Sequence, residues 1–163
     1  LSKIRTHIYN DCTDICITQK QDKHMETPIV VTVECTVNVP VAKAWEYWSS
    51  PTHIVRWNSA SPDWHTPRAE NDLRTGGSFS SRMEARDGSM GFDFGGVYDL
   101  VTEHKTINYT MADGRRVFIE FTDNGDSTYI LQKFDAETMN PVEMQQAGWQ
   151  AIMNSYKAYT ETN

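Results

Sequence analysis

Long hydrophobic runs and cysteine are both scarce in this sequence. No stretch approaches the roughly 18 apolar residues that a transmembrane helix needs, so no membrane insertion is expected. The longest apolar segment in the first 24 residues is Ile15-Cys16-Ile17. A secretory signal needs a much longer apolar segment. The three cysteines, Cys12, Cys16 and Cys35, are odd in number and lack the spacing of a disulfide framework, which favours a reducing compartment. These absences predict a cytoplasmic location.

Positive charge is also in short supply. Lys and Arg number 15 against 22 Asp and Glu, and the formal net charge is −7. The only adjacent arginines are Arg115 and Arg116. Because phosphate backbones repel an acidic chain that has no basic patch, we expect no nucleic-acid partner. The length of 163 residues suits one domain, and the 11% aromatic content is typical of a folded chain.

Residues 1–24 are polar, and they carry two of the three cysteines. One hypothesis is that Met25 is the natural start and that residues 1–24 are a leader from upstream translation or expression sequence. The alternative is a genuine additional strand, because apolar and polar residues alternate over positions 4–8. Both interpretations stay open on the sequence, and residues 25–163 are predicted to form a single domain.

The first regular part of the chain predicts a strand followed by two short helices. Residues 29–39 alternate between apolar and polar side chains, as in a strand with one buried face. Pro40 ends this strand. Apolar residues at helical spacing over 41–48 predict the first helix. Ser50 is then placed to cap a second helix, and Pro51 suits the first position of that helix.

The middle of the chain predicts a long loop and then an antiparallel meander. Residues 58–74 show no period and contain two prolines, which is typical of a loop at a binding edge. Three turn signals, Asp87-Gly88, Asp113-Gly114 and Asn124-Gly125, separate runs that alternate with a period of two. Gly95-Gly96 interrupts one such run, and we expect a bulge there.

The end of the chain predicts one long helix. Asn140 is placed to cap it, with Pro141 at the first position and Glu143 at the third. One helical face carries the apolar residues and Gln145, namely Val142, Gln145, Trp149, Ile152, Met153, Tyr156 and Tyr159. A second strip is predicted to let a neighbour approach closely: Met144, Ala147, Gly148, Ala151 and Ser155. One helix packed on a one-sided antiparallel sheet indicates an α+β fold.

Several stretches together resemble a known family. They are VAKAWEYWSSPTHIVRW (41–57), DLRTGGSFSSRM (72–83), FGGVYDLV (94–101) and GWQAIMNSYKAY (148–159). In this order and spacing they are similar to the bacterial relatives of the activator of heat-shock chaperone ATPase, within the START-like (SRPBCC) helix-grip superfamily. The resemblance covers about residues 29–160. One departure is that residues 103–105 (EHK) stand where the family usually has two prolines.

The resemblance implies a helix-grip fold, in which a twisted antiparallel sheet wraps around the long C-terminal helix and encloses a deep cavity. Members of the superfamily bind lipids, sterols, polyketides or other hydrophobic molecules, and a minority are enzymes such as cyclases. Eukaryotic relatives act as co-chaperones. The branch has no shared catalytic set, so no catalytic residue is carried over to this chain.

The candidate ligand-binding residues are those predicted to face the interior. Most are large and apolar, as an adaptable hydrophobic pocket requires, with packing of an ordinary core as the alternative. Three are polar, and a buried polar group must find a partner, a water or a ligand. The full set is Trp57, Phe79, Ser81, Met83, Phe92, Phe94, Tyr109, Phe121, Gln132, Gln145, Trp149, Met153 and Tyr156.

Other chemistry has little support in the sequence. The five histidines show no i, i+4 pair, and Cys12 and Cys16 with His24 would make at most an incomplete ligand set, so no metal or other cofactor is expected. Gly76-Gly77 precedes a strand rather than a helix, which does not suit a phosphate loop. An acid–base pair in the segment Asp63-Trp64-His65 is less favoured than a loop anchored by its tryptophan.

The sequence therefore predicts non-catalytic binding of a small hydrophobic ligand between the sheet and the C-terminal helix. Two alternatives stay open. The first is a cyclase or dehydratase in the same pocket, in which a single polar residue moves a proton. The second is a chaperone-activator-like protein that binds a partner through an exposed patch. The sequence does not indicate the oligomeric state.

Overall fold

Seven strands and three helices make up residues 27–163, the part of the chain that the computed structural model describes. The predictions for residues 1–24 lie outside this part. In chain order the elements are β1 (Val30–Val37), α1 (Val41–Ser49), α2 (Pro51–Trp57), β2 (Trp64–Asn71), β3 (Ser78–Ala85), β4 (Gly91–Thr102), β5 (Thr106–Met111), β6 (Arg116–Asp123), β7 (Thr128–Asp135) and α3 (Val142–Thr162).

The strands form a single antiparallel sheet in the order β1-β7-β6-β5-β4-β3-β2. The connections from β2 to β7 are all between neighbours, which confirms the predicted meander. Gly88, Gly114 and Gly125 have positive φ angles of 75°, 88° and 82°, so the three Asx-Gly turns use glycine where the backbone is left-handed. The sheet and the long helix confirm the α+β helix-grip architecture.

The prediction of a loop over residues 58–74 was wrong for Trp64–Asn71, which form β2. This strand pairs only with β3, and its register shifts between His65 and Arg68, around Pro67. An edge strand with a proline at an irregular position has one hydrogen-bonded side and no strict alternation of burial. Its sequence therefore carries none of the periodicity that identifies a central strand.

The bulge expected at Gly95-Gly96 was also misplaced. Both glycines lie in regular register with β3, and the irregularity of β4 falls between Tyr98 and Leu100. A Cβ atom at Gly95 would lie 2.6 Å from the carbonyl oxygen of Phe79, and one at Gly96 would lie 2.5 Å from that of Thr110. The two glycines are required because the neighbouring backbones approach too closely for any side chain.

The ends of the helices agree with the sequence in position but differ in their capping. Ser50 is the N-cap of α2 and Pro51 its first residue, without a hydrogen bond from the serine side chain. At α3 the N-cap is Pro141 rather than Asn140, and no side chain caps the helix. The asparagine is held instead by the Glu137 carboxylate, which accepts from the Asn140 backbone and side-chain nitrogens at 3.0 and 2.7 Å.

The helix α3 lies along β1 and covers the free edge of the sheet. Gln150 donates from Nε2 to the backbone oxygen of Glu34 at 3.0 Å, and its Oε1 accepts from the Glu34 nitrogen at 3.2 Å. Glu161 Oε1 accepts from the Asn38 nitrogen at 2.8 Å. Gln146 and Lys157 bond two further carbonyls of this edge. An open edge would be a template for association with other chains, and these side chains close it.

Aromatic packing fills the end of the interior beneath α1 and α2. The ring of Trp45 packs edge-on to Phe121 at 5.1 Å, and Tyr156 meets the rings of Trp48 and Trp57 at 4.8 and 5.2 Å. The buried hydroxyl of Tyr156 donates to the Ala44 carbonyl at 2.6 Å. Because α3 is fastened to β1 and to this aromatic cluster, the inward face of β3 and β4 lies away from the helix.

Candidate ligand cavity

A cavity of about 490 Å³ lies between α3 and the inward faces of the central and distal strands. This volume falls within the range of about 300–1,000 Å³ that is usual for small-molecule sites. All but two of the predicted ligand-binding residues line it, namely Trp57, Phe79, Ser81, Met83, Phe92, Phe94, Tyr109, Gln132, Gln145, Trp149 and Met153. The period-two and helical patterns therefore identified the faces that surround the space.

Phe121 and Tyr156 are the two predicted residues that do not line the cavity. Both are buried in the aromatic cluster with Trp45, Trp48 and Trp57. They face inward as predicted, but α1 and α2 cover them. Their position relative to these helices depends on tertiary packing, which the strand and helix periods do not contain.

The wall opposite α3 is a set of aromatic rings packed against one another, and it reaches α3 through one further ring contact. The ring of Phe79 lies 4.7 Å from that of Tyr109 and 5.1 Å from that of Tyr98, and Phe94 reaches Trp149 of α3 at 5.9 Å. Burial raises the pKa of both Tyr98 and Tyr109 above the ordinary value, so these phenols stay neutral at physiological pH. The wall is mostly apolar, and the phenol hydroxyls of Tyr98 and Tyr109 are its fixed polar groups.

Gln145 is a structural residue, although it lines the cavity. Its Nε2 donates to the carbonyl oxygens of Glu137 and Asn140 at 3.0 and 2.8 Å, and its Oε1 accepts from the Glu137 nitrogen at 2.9 Å. The side chain thus ties the segment before α3 to the first turn of the helix. Its hydrogen-bonding capacity is used by backbone groups, which was the alternative left open for it on the sequence.

Ser81, Tyr109 and Gln132 behave differently from Gln145. All three are buried and line the cavity, and their side-chain polar groups make no hydrogen bond to any residue between 27 and 163. Within the same residues, the fully enclosed side-chain atoms without a partner are Asn108 Oδ1 and Thr160 Oγ1. The three cavity groups are not among them, so they reach open space inside the cavity.

Gly148 leaves open space beside α3 in the cavity wall. A Cβ atom at this position would meet nothing within 4 Å, and the residue lines the cavity. The prediction that the small-residue strip admits a close neighbour was therefore wrong at Gly148. The glycine faces empty space, because α3 packs on β1 with its other side.

Other wall residues were not among the candidates on the sequence. Trp64 and Asn71 belong to β2, which had been interpreted as a loop, and Trp48 was assigned only to a helical stripe. The hydroxyl of Tyr98 donates to Asn71 Oδ1 at 2.7 Å, and Asn71 Nδ2 donates to the Ser49 carbonyl. The alternation of Tyr98 with its neighbours was the signal that could have added this residue.

Exposed members of the wall show where the cavity meets solvent. Phe92 is 48% exposed and Met144 is 61% exposed, although both line the cavity. Exposed large apolar side chains around a cavity mark an entrance rather than a sealed core. Phe92 packs against Trp64 at 6.0 Å, so the Asp63–His65 segment contributes a tryptophan to this rim.

A model of one protein family matches residues 38–161 of the chain, and its description is "Activator of Hsp90 ATPase homolog 1-like protein". The chain belongs to this family. A search of functionally curated proteins found no significant match. The family assignment covers nearly all of the described domain, and it confirms the resemblance drawn from residues 29–160.

Two solved structures share substantial sequence with the chain. The AHSA1-like protein of Aeromonas hydrophila is 39% identical, with a TM-score of 0.77 over 82% of this chain and 93% of that one. A protein of Cytophaga hutchinsonii is 55% identical, with a TM-score of 0.70 over 83% and 93% of the two chains. A protein of Chromobacterium violaceum, at 18% identity and a TM-score of 0.73 over 83% and 100%, shares the fold.

The departure from the Hsp90-activator-like family pattern at residues 103–105 is a tight turn between β4 and β5. His104 adopts a φ angle of 60°, in the left-handed region, and the Lys105 nitrogen donates to the Thr102 carbonyl at 3.0 Å. The imidazole packs edge-on to Trp45 at 5.9 Å. The turn lies at the aromatic cluster, and His104 is absent from the wall of the cavity.

Within residues 27–163 no group of three or more His, Cys, Asp and Glu side chains is arranged to hold a metal ion. Over the same range no helix combines the length and apolarity needed to cross a bilayer.

Proposed function

We propose that this protein binds a small hydrophobic molecule, without transforming it, in the cavity between α3 and the sheet. One observation carries the proposal: an aromatic cavity of about 490 Å³ contains three buried polar groups, on Ser81, Tyr109 and Gln132, that have no partner in the described chain. Because these groups reach the open space of the cavity, they are available to hydrogen-bond with a molecule inside it. A ligand with an apolar body and a few hydrogen-bonding groups would satisfy them.

The distribution of titratable side chains favours binding over chemistry. The described wall contains two carboxylates, Glu70 and Glu137, and no histidine. Glu70 is exposed at the surface. The backbone N–H of Met139 and the side chain of Asn140 hold the pKa of Glu137 below its usual range. A general acid or base needs a pKa near the working pH and access to the substrate, and the lowered pKa of Glu137 does not suit that role.

The experiment is a ligand titration of the purified chain. A panel of fatty acids, sterols and planar polyphenols is added while tryptophan fluorescence and melting temperature are followed. The four tryptophans of the wall, Trp48, Trp57, Trp64 and Trp149, make the emission sensitive to occupancy. We expect at least one class to change the emission and to raise the melting temperature with concentration, as mass action requires.

Native mass spectrometry of protein from its own host complements the titration, because a retained ligand appears there as an added mass. If no class produces a response and no mass is retained, the binding function is refuted. The partner-binding alternative, suggested by the family description, would then be preferred.

A further inference from the structure

We propose that Arg115 anchors the acidic end of an amphipathic organic acid whose apolar body fills the cavity. The inference rests on the proposed binding function and names the ligand class for it.

The strand register places Arg115 on the inward face. The Met111 nitrogen donates to the Arg115 carbonyl at 2.8 Å, across the turn from β5 to β6. The neighbouring inward residues Tyr109, Met111 and Val117 are all buried. Side chains alternate along a strand, so Arg115, two residues before Val117, points to the same side and lines the cavity. Arg116 points to the opposite face.

The guanidinium of Arg115 has unused donors. Its side chain is 25% exposed, and Nε donates to Asp113 Oδ2 at 2.8 Å. The two terminal nitrogens make no hydrogen bond to any residue in the described part of the chain. A guanidinium offers five N–H donors in a planar fork. With Nε bonded to Asp113, the edge formed by the two terminal nitrogens remains open to a carboxylate.

Two neighbouring features favour an anion at this end of the cavity. Tyr109 lies diagonally across the β5–β6 pair from Arg115, a separation of about 7–8 Å that long side chains bridge. Its buried hydroxyl is free to donate to the same acid group. The first turn of α3 contributes Met144 to the wall, and the amino end of a helix carries partial positive charge.

Opposing charge at this end comes from Asp113, which is paired with Arg115 itself, and from Glu137, whose pKa the Met139 backbone N–H, the Asn140 side chain and the nearby Arg115 lower. Asp113 is half-exposed and bonded to Arg115, and the Glu137 carboxylate accepts backbone N–H groups from Met139 and Asn140. Arg115 is the one cationic side chain among the described residues of the wall. An acid in the cavity therefore has one guanidinium to bind, through the terminal nitrogens that Asp113 does not use.

The test compares matched acids and alcohols. Affinities of dodecanoate and dodecan-1-ol, and of 2-naphthoate and 2-naphthol, are measured by calorimetry at neutral pH on the wild type, Arg115→Gln and Arg56→Gln. Arg56 is an exposed residue of α2 outside the cavity wall, so its variant controls for the loss of one charge. In at least one pair, Arg115→Gln should lower the affinity for the acid by about tenfold or more, as expected when a charge-assisted hydrogen bond is lost.

The other affinities separate this inference from the binding function. The alcohols should bind Arg115→Gln as they bind the wild type, which also shows that the variant is folded, and Arg56→Gln should change neither member of a pair. Binding of the alcohols without the acids, or equal effects of the two substitutions on the acids, would overturn the role of Arg115 and leave the binding function standing. If none of the four probes binds the wild type, this inference is contradicted. If the panel of fatty acids, sterols and polyphenols also gives no response, the binding function is contradicted as well.

Discussion

The indole ring of Trp149 stacks on the phenyl ring of Phe134, with their centroids 4.1 Å apart and 15° between the planes. Phe134 on β7 is fully buried, whereas Trp149 on α3 is half-buried and lines the cavity. One face of the indole is therefore packed against the sheet, and another part borders open space. This pair joins the helix to the sheet at the side of the cavity.

The Trp149→Ala substitution should affect ligand binding more than stability. A fully packed tryptophan costs about 3–5 kcal/mol when truncated, and we expect less here because part of the ring already borders a void. Urea unfolding measures the loss, and a titration with a bound probe measures the affinity. The control is Trp45→Ala, since Trp45 is buried outside the cavity. Equal destabilisation by the two substitutions, with unchanged probe affinity for Trp149→Ala, would contradict the prediction.

Filling the space over Gly148 should weaken ligand binding while the fold is retained. Gly148→Phe places a ring in the cavity, and we expect probe affinity to fall by at least about tenfold, equivalent to roughly 1.4 kcal/mol. The matched control is Gly148→Ala. A Cβ there meets nothing within 4 Å, and alanine in a helix is about 0.5–1 kcal/mol more favourable than glycine. Wild-type affinity in the phenylalanine variant would show that ligands bind elsewhere.

Removing the Gln145 side chain should loosen the segment before α3. Gln145→Leu leaves the nitrogen and oxygen of Glu137 and the oxygen of Asn140 without these partners, at an expected cost of about 1–3 kcal/mol in the free energy of unfolding. Gln146→Leu removes a single exposed bond to Thr32 and should cost less than about 1 kcal/mol. Chemical denaturation of both variants measures the difference. Equal losses would argue against the role assigned to Gln145.

Cys35 should be unreactive in the native protein. Burial raises the pKa of its thiol to about 12, so at pH 8 roughly one molecule in ten thousand carries the reactive thiolate. In a variant with Cys12→Ser and Cys16→Ser, a thiol reagent should modify Cys35 only after denaturation. Rapid labelling of the folded variant would contradict the packing of Cys35, on β1, against the hydrophobic core.

The same thiol predicts a pH dependence of stability. The folded-state pKa is above the unfolded value near 9, so the native state binds more protons between about pH 9 and 12. Its contribution to stability is complete below pH 9 and is lost as the pH rises through this window. Relative to Cys35→Ala, which lacks the titrating group, the wild type should therefore lose additional stability on alkaline titration. Parallel pH curves for the two proteins would refute this effect.

Local sequence patterns predicted the central strands and the long helix, but they missed β2. The inward residues of β6 alternate strictly with exposed ones, because this strand has neighbours on both sides and one buried face. The residues of β2 pair on one side only, with a register shift near Pro67, so no period marked them. With β2 misread, Trp64 and Asn71 were lost from the candidate wall.

The sequence by itself determined which side chains face inward and where the chain turns, because both follow from local geometry. Alternation assigned Phe79 and Phe121 alike to the interior, and the Asx-Gly pairs placed the hairpins. Only the tertiary structure decided that Phe79 borders a cavity while Phe121 is packed beneath α1. The space exists because Gln150 and its neighbours fasten α3 to the edge of β1, which holds the helix away from β3 and β4. Such a distance arises from contacts remote in sequence, and no local period encodes it.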